Sequence, residues 1–141
     1  LLVLPDDNML LQVRTAFGAS PSSSGDLAQA RSEDGGQTWS DWQGLGFVGH
    51  APDLYRLDCG VVLSAFREIN DEFTQQWVSF MHSLDGGRTW SEPTRIEDCG
   101  ALECGYPSMV ELDQNRLLIV YYTAGGATIQ ATIYTFTITT V

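Results

Sequence analysis

HSLDGGRTWSEP (residues 82–93) nearly repeats RSEDGGQTWSDW (residues 31–42), so a Ser-x-Asp-Gly-Gly-x-Thr-Trp word occurs twice, its tryptophans Trp39 and Trp90 lying 51 positions apart. Each residue type in the word has a folding task. A short Asp side chain accepts hydrogen bonds from the N–H groups of its own turn, and a glycine pair adopts backbone shapes closed to other residues. Ser32, Ser83, Thr38 and Thr89 are placed to tie the flanking strands together, and Trp39 and Trp90 to anchor neighbouring sheets. The set Ser32, Asp34, Gly36, Thr38, Trp39 and Ser83, Asp85, Gly87, Thr89, Trp90 therefore reads as structural. One carboxylate in a glycine turn is too few ligands for calcium, and no Cys/His spacing suits zinc. Neither a metal nor a cofactor is expected.

Working outward, a hairpin-like stretch precedes each copy: LVLPDDNMLLQVR (2–14) and YRLDCGVVLSAFR (55–67), with a third, VELDQNRLLIVYY, at 110–122. Each holds two apolar runs around a turn closing on Asn8, Gly60 or Asn115, so the turns recur after 52 and then 55 residues. A β-branched and aromatic third strand follows in each unit: DLAQARS (26–32), QQWVSFMHS (75–83) and TIQATIYTFTI (128–138). Fourth strands are expected to begin at TWSDW and TWSEP. FGASPSSSGD (17–26) reads as a flexible polar connection. No stretch has helical periodicity with caps. An all-β chain with four antiparallel strands per unit of about 50 residues has the pattern of a β-propeller. The expected division is a single propeller domain with a first blade over 1–48, a second over 49–104 and a third, incomplete, over 105–141.

Three blades do not close a ring. The expectation is that the chain, which begins LLVLPDD without Met, is part of a longer propeller, or else that a second copy supplies the remaining blades.

The 141 residues suit one domain, and 43% hydrophobic content supports a packed core. No apolar run approaches the ~20 residues of a membrane-spanning helix. Seven arginines, no lysine and 18 acids give a net charge of −11, which disfavours nucleic acid as a partner. An anionic ligand needs arginines gathered locally against that field. Of three cysteines, Cys99 and Cys104 could pair and leave Cys59 free, but spacing alone does not set a bridge.

The repeated word resembles the Asp-box, or bacterial neuraminidase repeat, of the sialidase superfamily, whose members are six-bladed propellers. The resemblance extends over essentially the whole chain and implies an extracellular or periplasmic glycoside hydrolase that cleaves terminal α-linked sialic acid. In that family the Asp-boxes lie on the rim opposite the active site, which directs attention to the other ends of the strands. LVLPDDNMLLQVRT (2–15) is similar to the family stretch that ends in the second arginine of a carboxylate-binding triad, a match that falls on Arg14. CGYPSMVEL (104–112) resembles the blade start carrying the nucleophilic tyrosine, a match that falls on Tyr106. The resemblance implies a third triad arginine near 72–83, where Gln75 and Gln76 stand; Arg67, on the neighbouring strand, is a candidate substitute. The partner glutamate and the acid/base aspartate are implied for sequence ahead of Leu1.

The chemistry fits these residue types. The anomeric carbon of sialic acid bears a carboxylate that repels a charged nucleophile, so a neutral tyrosine hydroxyl is the suitable attacking group. Arginine grips a carboxylate through paired hydrogen bonds. His50 in GHAPDL, next to Asp53, matches the Gly-Tyr-Pro position of the following unit because Pro52 and Pro107 align, so it is expected at the same mouth as Tyr106. The candidate set is thus Tyr106 as catalytic residue, with Arg14, Arg67, His50 and Gln75 binding substrate. Tyr121 and Tyr122 can stack on a sugar or fill the core, and Arg67 can pair locally with Glu68. A glycan-binding propeller without catalysis is the alternative.

Overall fold

In MLLQVR (9–14) Leu10 and Gln12 are buried while their neighbours are partly open, the period of two that makes a strand with one face in a core. Such strands account for most of the structure. The computed structural model describes residues 1–15 and 25–137. A seven-stranded antiparallel sheet runs in chain order through β1 (Leu2–Val3), β2 (Met9–Arg14), β3 (Asp26–Ser32), β4 (Gln43–Arg56), β5 (Val62–Ile69), β6 (Gln76–Ser83) and β7 (Thr94–Gly100). A second sheet holds β8 (Gly105–Asp113), β9 (Arg116–Thr123) and β10 (Thr128–Thr135). Among the described residues the only helical pieces are two short 3-10 turns. Most of the FGASPSSSGD connection lies outside the described residues.

β4 serves two repeats. Its first half pairs with β3 and its second half with β5, and a bulge between His50 and Asp53 interrupts the β5 register. The first two fourth strands begin later than the sequence suggests, at Gln43 and Thr94. TWSDW and TWSEP make only one rung before that: Ser40 and Ser91 exchange bonds with Arg31 and His82, and their hydroxyls take one donor of each pair. These two serines tie the flanking strands. Ser32, Ser83, Thr38 and Thr89 instead bond within the turn itself.

The hairpin turns also correct the spacing. Leu4 N–H reaches Asn8 O in the first hairpin and Leu57 N–H reaches Val61 O in the second. The left-handed residues are then Asp7 (φ 60°) and Gly60 (φ 97°), 53 apart, so Gly60 corresponds to Asp7 and not to Asn8. With that register Arg14, Arg67 and Tyr122 take the same place in three successive second strands, paired across to Leu27, Val78 and Ile129.

Packing joins each repeat to the next. Leu63, Ala65, Val78 and Phe80 of the second repeat meet Met109, Leu117, Ile119 and Tyr121 of the third. Leu10 and Leu4 of the first meet Leu54 and Val62 of the second, and Ser64 donates to Gln12 Oε1 at 2.6 Å across that seam.

The Asp-Gly-Gly turns have one internal geometry. Asp34 accepts from Thr38 N, Thr38 Oγ1 (2.6 Å) and Ser32 Oγ, while Gly36 N–H donates to Ser32 Oγ. Asp85 makes the same set with Thr89 and Ser83, Gly87 donates to Ser83 Oγ, and Arg88 N–H adds a further bond to Asp85. Among the described residues only the second turn docks on a preceding sheet. Arg31 and Gln29 donate to Gly86 O and Gly87 O, and Trp90 donates to Gln29 while packing on the Leu4, Leu10, Leu54 and Val62 cluster and on a further cluster of Leu27, Phe66 and Met81. Trp39 is 39% exposed with its N–H on Gly36 O, so it anchors no neighbouring sheet among the described residues.

Candidate functional site

The site candidates gather at the strand ends opposite the Asp-Gly-Gly turns. β5 carries Arg67 there. Its side chain leaves the sheet toward the third repeat and runs along Gly105, where an added Cβ would lie 3.0 Å from the Arg67 Cβ. Gly105, at φ 127°, is thus the residue that lets the two strands close around this arginine. Arg67 is only 9% exposed. One terminal nitrogen donates to Glu103 Oε1 at 2.8 Å and the other lies 3.1 Å from His50 Nδ1. A guanidinium has only donors, so Nδ1 accepts in that contact. The Arg67 Nε–H is buried without a hydrogen-bond partner among the described residues. Arg67 therefore pairs with Glu103 and not with Glu68, which is held by Arg95 and Ser79.

Glu103 links this arginine to the aromatic residues. Arg67 holds its carboxyl below the usual carboxylate range, and the Tyr122 phenol lies beside it. Burial pushes the Tyr122 phenol up, and the Glu103 charge adds to that. Sequence reading passed over Glu103. The signal available was its place in CGALEC immediately before the Gly-Tyr-Pro word. The structure joins Cys99 to Cys104 by a disulfide and leaves Cys59 free and exposed. The disulfide closes the short loop that presents Glu103.

Tyr106 stands on a bulge. The β8–β9 register shifts between Gly105 and Ser108, and Tyr106 has φ 46°. The equivalent bulge in β4 gives Ala51 φ 50°, and a proline follows in both. A bulky side chain in the left-handed region costs about 1–3 kcal/mol. Such a bulge re-aims the side chain away from the pleat. Tyr106 is 68% exposed, and its ring stacks on Tyr122 with centroids 5.8 Å apart. Tyr121, its neighbour in β9, is core, with its hydroxyl on Thr132.

His50, Arg67, Glu103, Tyr106 and Tyr122 thus form one connected group. Arg14 sits at the same place in the preceding repeat, exposed at the end of β2 and lying over Gly25. Gln75 is turned toward the strand β7, bonded to Asp98. Asp53 accepts from Met109 N at 2.8 Å and ties β4 to β8; burial raises its carboxyl. A cleft of about 550 Å³ lies away from this group, at the hairpin-turn end, walled by Leu57, Leu63, Phe80, Leu117 and Tyr134. It corresponds to the seam that Trp90 fills between the first two repeats, because Tyr134 stands in the register where Ser83 opens the second turn. It is a packing gap without charged groups to orient a substrate.

No protein-family model matches the sequence, and no curated protein matches it. Solved structures do. An α-L-arabinofuranosidase from Fusarium graminearum, a mutant held with an iminosugar inhibitor, superposes with a TM-score of 0.69 at 20% identity, over 94% of this chain and 42% of that one. A protein of unknown function from Dyadobacter fermentans gives a TM-score of 0.53 at 19% identity, over 94% of this chain and 51% of that one. The chain spans roughly half or less of the length of these structures. The likeness is one of fold, an antiparallel β-propeller architecture.

Proposed function

We propose that the protein is a carbohydrate-active propeller whose mouth binds a terminal sugar beside Tyr106, and that it hydrolyses the glycosidic bond with retention. In this reading the three repeats are blades of a six-bladed ring of the sialidase type, completed by further sequence or by a second copy. The sugar is an α-linked sialic acid. The observation that carries the reading is the strained Tyr106 (φ 46°) next to a buried arginine at the end opposite the Asp-Gly-Gly turns. Left-handed backbone at a bulky residue collects at functional sites.

The steps follow from the residue types. The Tyr106 hydroxyl oxygen attacks the anomeric carbon, its proton passing to a carboxylate, while the glycosidic C–O bond breaks and the leaving oxygen is protonated. Water then attacks the same carbon and returns the phenol. Arg14 and Arg67 hold the sugar carboxylate, with His50 fixing Arg67, and Gln75 supplies a hydrogen bond at the rim. The remaining acid and base belong to the other blades.

A fluorogenic sialoside assay on the full-length protein tests this. Wild type is expected to turn over, and Tyr106→Phe to lose more than about 100-fold, as removal of a reacting group does. Equal rates would remove Tyr106 from the chemistry. A second reading, an uncharged sugar as substrate or as ligand without turnover, is favoured by one contact: Arg67 already carries the Glu103 carboxylate. Turnover of a fluorogenic arabinofuranoside but not of the sialoside would select it.

A further inference from the structure

The Arg67–Glu103 pair is lopsided. Arg67 is fixed, with its side chain 10% exposed and seated on Gly105, whereas the Glu103 side chain is 62% exposed. An ion pair with one partner in water contributes little to stability, but the buried guanidinium cannot be left without an anion at the same low cost. Glu103 is therefore the partner that can leave, and Arg67 the one that must be satisfied. A carboxylate seated on the exposed side of the Arg67 terminal nitrogen makes the charge-assisted hydrogen bond that Glu103 makes now.

We propose that Glu103 is a specificity-determining residue: its carboxylate occupies the place on Arg67 that an acidic sugar's carboxylate takes, and the ligand must displace it. This rests on the carbohydrate reading above and adds to it the residue that sets the balance between charged and uncharged sugars. While Glu103 is seated, the mouth presents a neutralised arginine and suits a neutral sugar. Once Glu103 is displaced, the freed guanidinium draws a carboxylate against the −11 charge of the whole chain.

The experiment compares wild type with Glu103→Ala and Glu103→Gln, using three probes: sodium acetate, free N-acetylneuraminate and its uncharged carboxamide. Binding is followed by NMR at the Arg67 Nε–H and the His50 ring, with thermal melting as a check on folding. Acetate and N-acetylneuraminate are expected to bind up to about fivefold more tightly to Glu103→Ala, the size of one exposed charged contact removed. Glu103→Gln, which keeps the hydrogen bond without the charge, falls between, and the carboxamide does not change. Acetate binding that is no tighter in either variant overturns the proposal, as does an equal gain for the carboxamide. A gain for acetate while N-acetylneuraminate binds none of the three proteins overturns the sialic acid reading and leaves the role of Glu103 standing. If Glu103→Ala melts early, Glu103→Gln against wild type decides with the same two outcomes.

Discussion

The two Asp-Gly-Gly turns share a sequence and an internal hydrogen-bond set, yet they sit differently in the molecule. Asp34 and Asp85 accept the same threonine N–H and hydroxyl, and Gly36 and Gly87 have φ 88° and 84°. The difference lies outside the word. The second turn faces Arg31 and Gln29 of the preceding repeat and drives Trp90 into a seam lined by Leu10, Leu27, Val62 and Phe66. The first turn has no such sheet in front of it among the described residues. Local sequence sets the shape of a turn, whereas what the turn holds together depends on the surface opposite.

The tryptophans should separate the two cases most widely. Trp90→Ala empties a seam between two repeats and is expected to cost about 3–5 kcal/mol, the usual range for a packed tryptophan. Trp39→Ala removes a ring that is 39% exposed and fills no seam among the described residues, and should cost under about 1 kcal/mol. Denaturant unfolding of both variants measures this directly. Similar losses would mean that Trp39 is covered by something outside the described residues, and the contrast between the turns would disappear.

The glycines sharpen the same contrast at the next level. Both occupy a region that costs a residue with a Cβ about 1–2 kcal/mol. At Gly36 an added Cβ meets the end of the flexible Met9 side chain at 3.1 Å, so Gly36→Ala should cost little beyond that strain. At Gly87 it would lie 2.5 Å from Cδ2 of the fully buried Leu10, which has nowhere to go among Leu4, Leu54 and Val62. Gly87→Ala is therefore expected to lose about 2–3 kcal/mol, the strain plus a modest overpacking penalty. Thermal melts of the pair decide, and a Gly36 variant that is the worse of the two would refute the docking argument.

How much of this could be read beforehand follows the same division. The repeat ruler placed β3 at residues 26–32, and it put Arg67, His50 and Tyr106 at one end of the sheets, because strand direction and period are local properties. Boundaries that depend on side chains competing with the ladder were missed. Ser40 and Ser91 put a hydroxyl where a backbone rung was expected, so the fourth strands start later. Trp39 was misplaced because its burial is a property of the surface opposite and not of the word. Glu103 was overlooked because it lies in a four-residue loop between two cysteines, where no periodicity marks which side chain meets a neighbour. Its partner Arg67 is legible as a candidate with Glu68, its neighbour in sequence, as the alternative partner, whereas the carboxylate it meets comes from the loop that leads into the third repeat.

The smallest expected effect is also the one on which the two turns should agree. Their carboxylates are held down by hydrogen bonds from inside the turn, first the threonine hydroxyl, then the threonine N–H and the serine. Asp34 is lowered to about 2, and Asp85 lies lower still. An unfolded Asp titrates near ~3.9. A group whose folded value is depressed contributes stability that is fully present above the unfolded value and is lost as pH falls through the folded one. The contribution of both turns should therefore hold at neutral pH and fade from about pH 4 to pH 2 and below. Asp34→Asn and Asp85→Asn should each be less stable than wild type at pH 6, with the gap closing as pH falls. Added salt should change it little, since the bonds are short contacts to uncharged donors. A gap that stays constant with pH would show that the carboxylate charge is not what closes the turn. A gap for Asp85 that collapses in salt while that of Asp34 does not would trace the difference to Arg31 and Arg88, and so to docking after all.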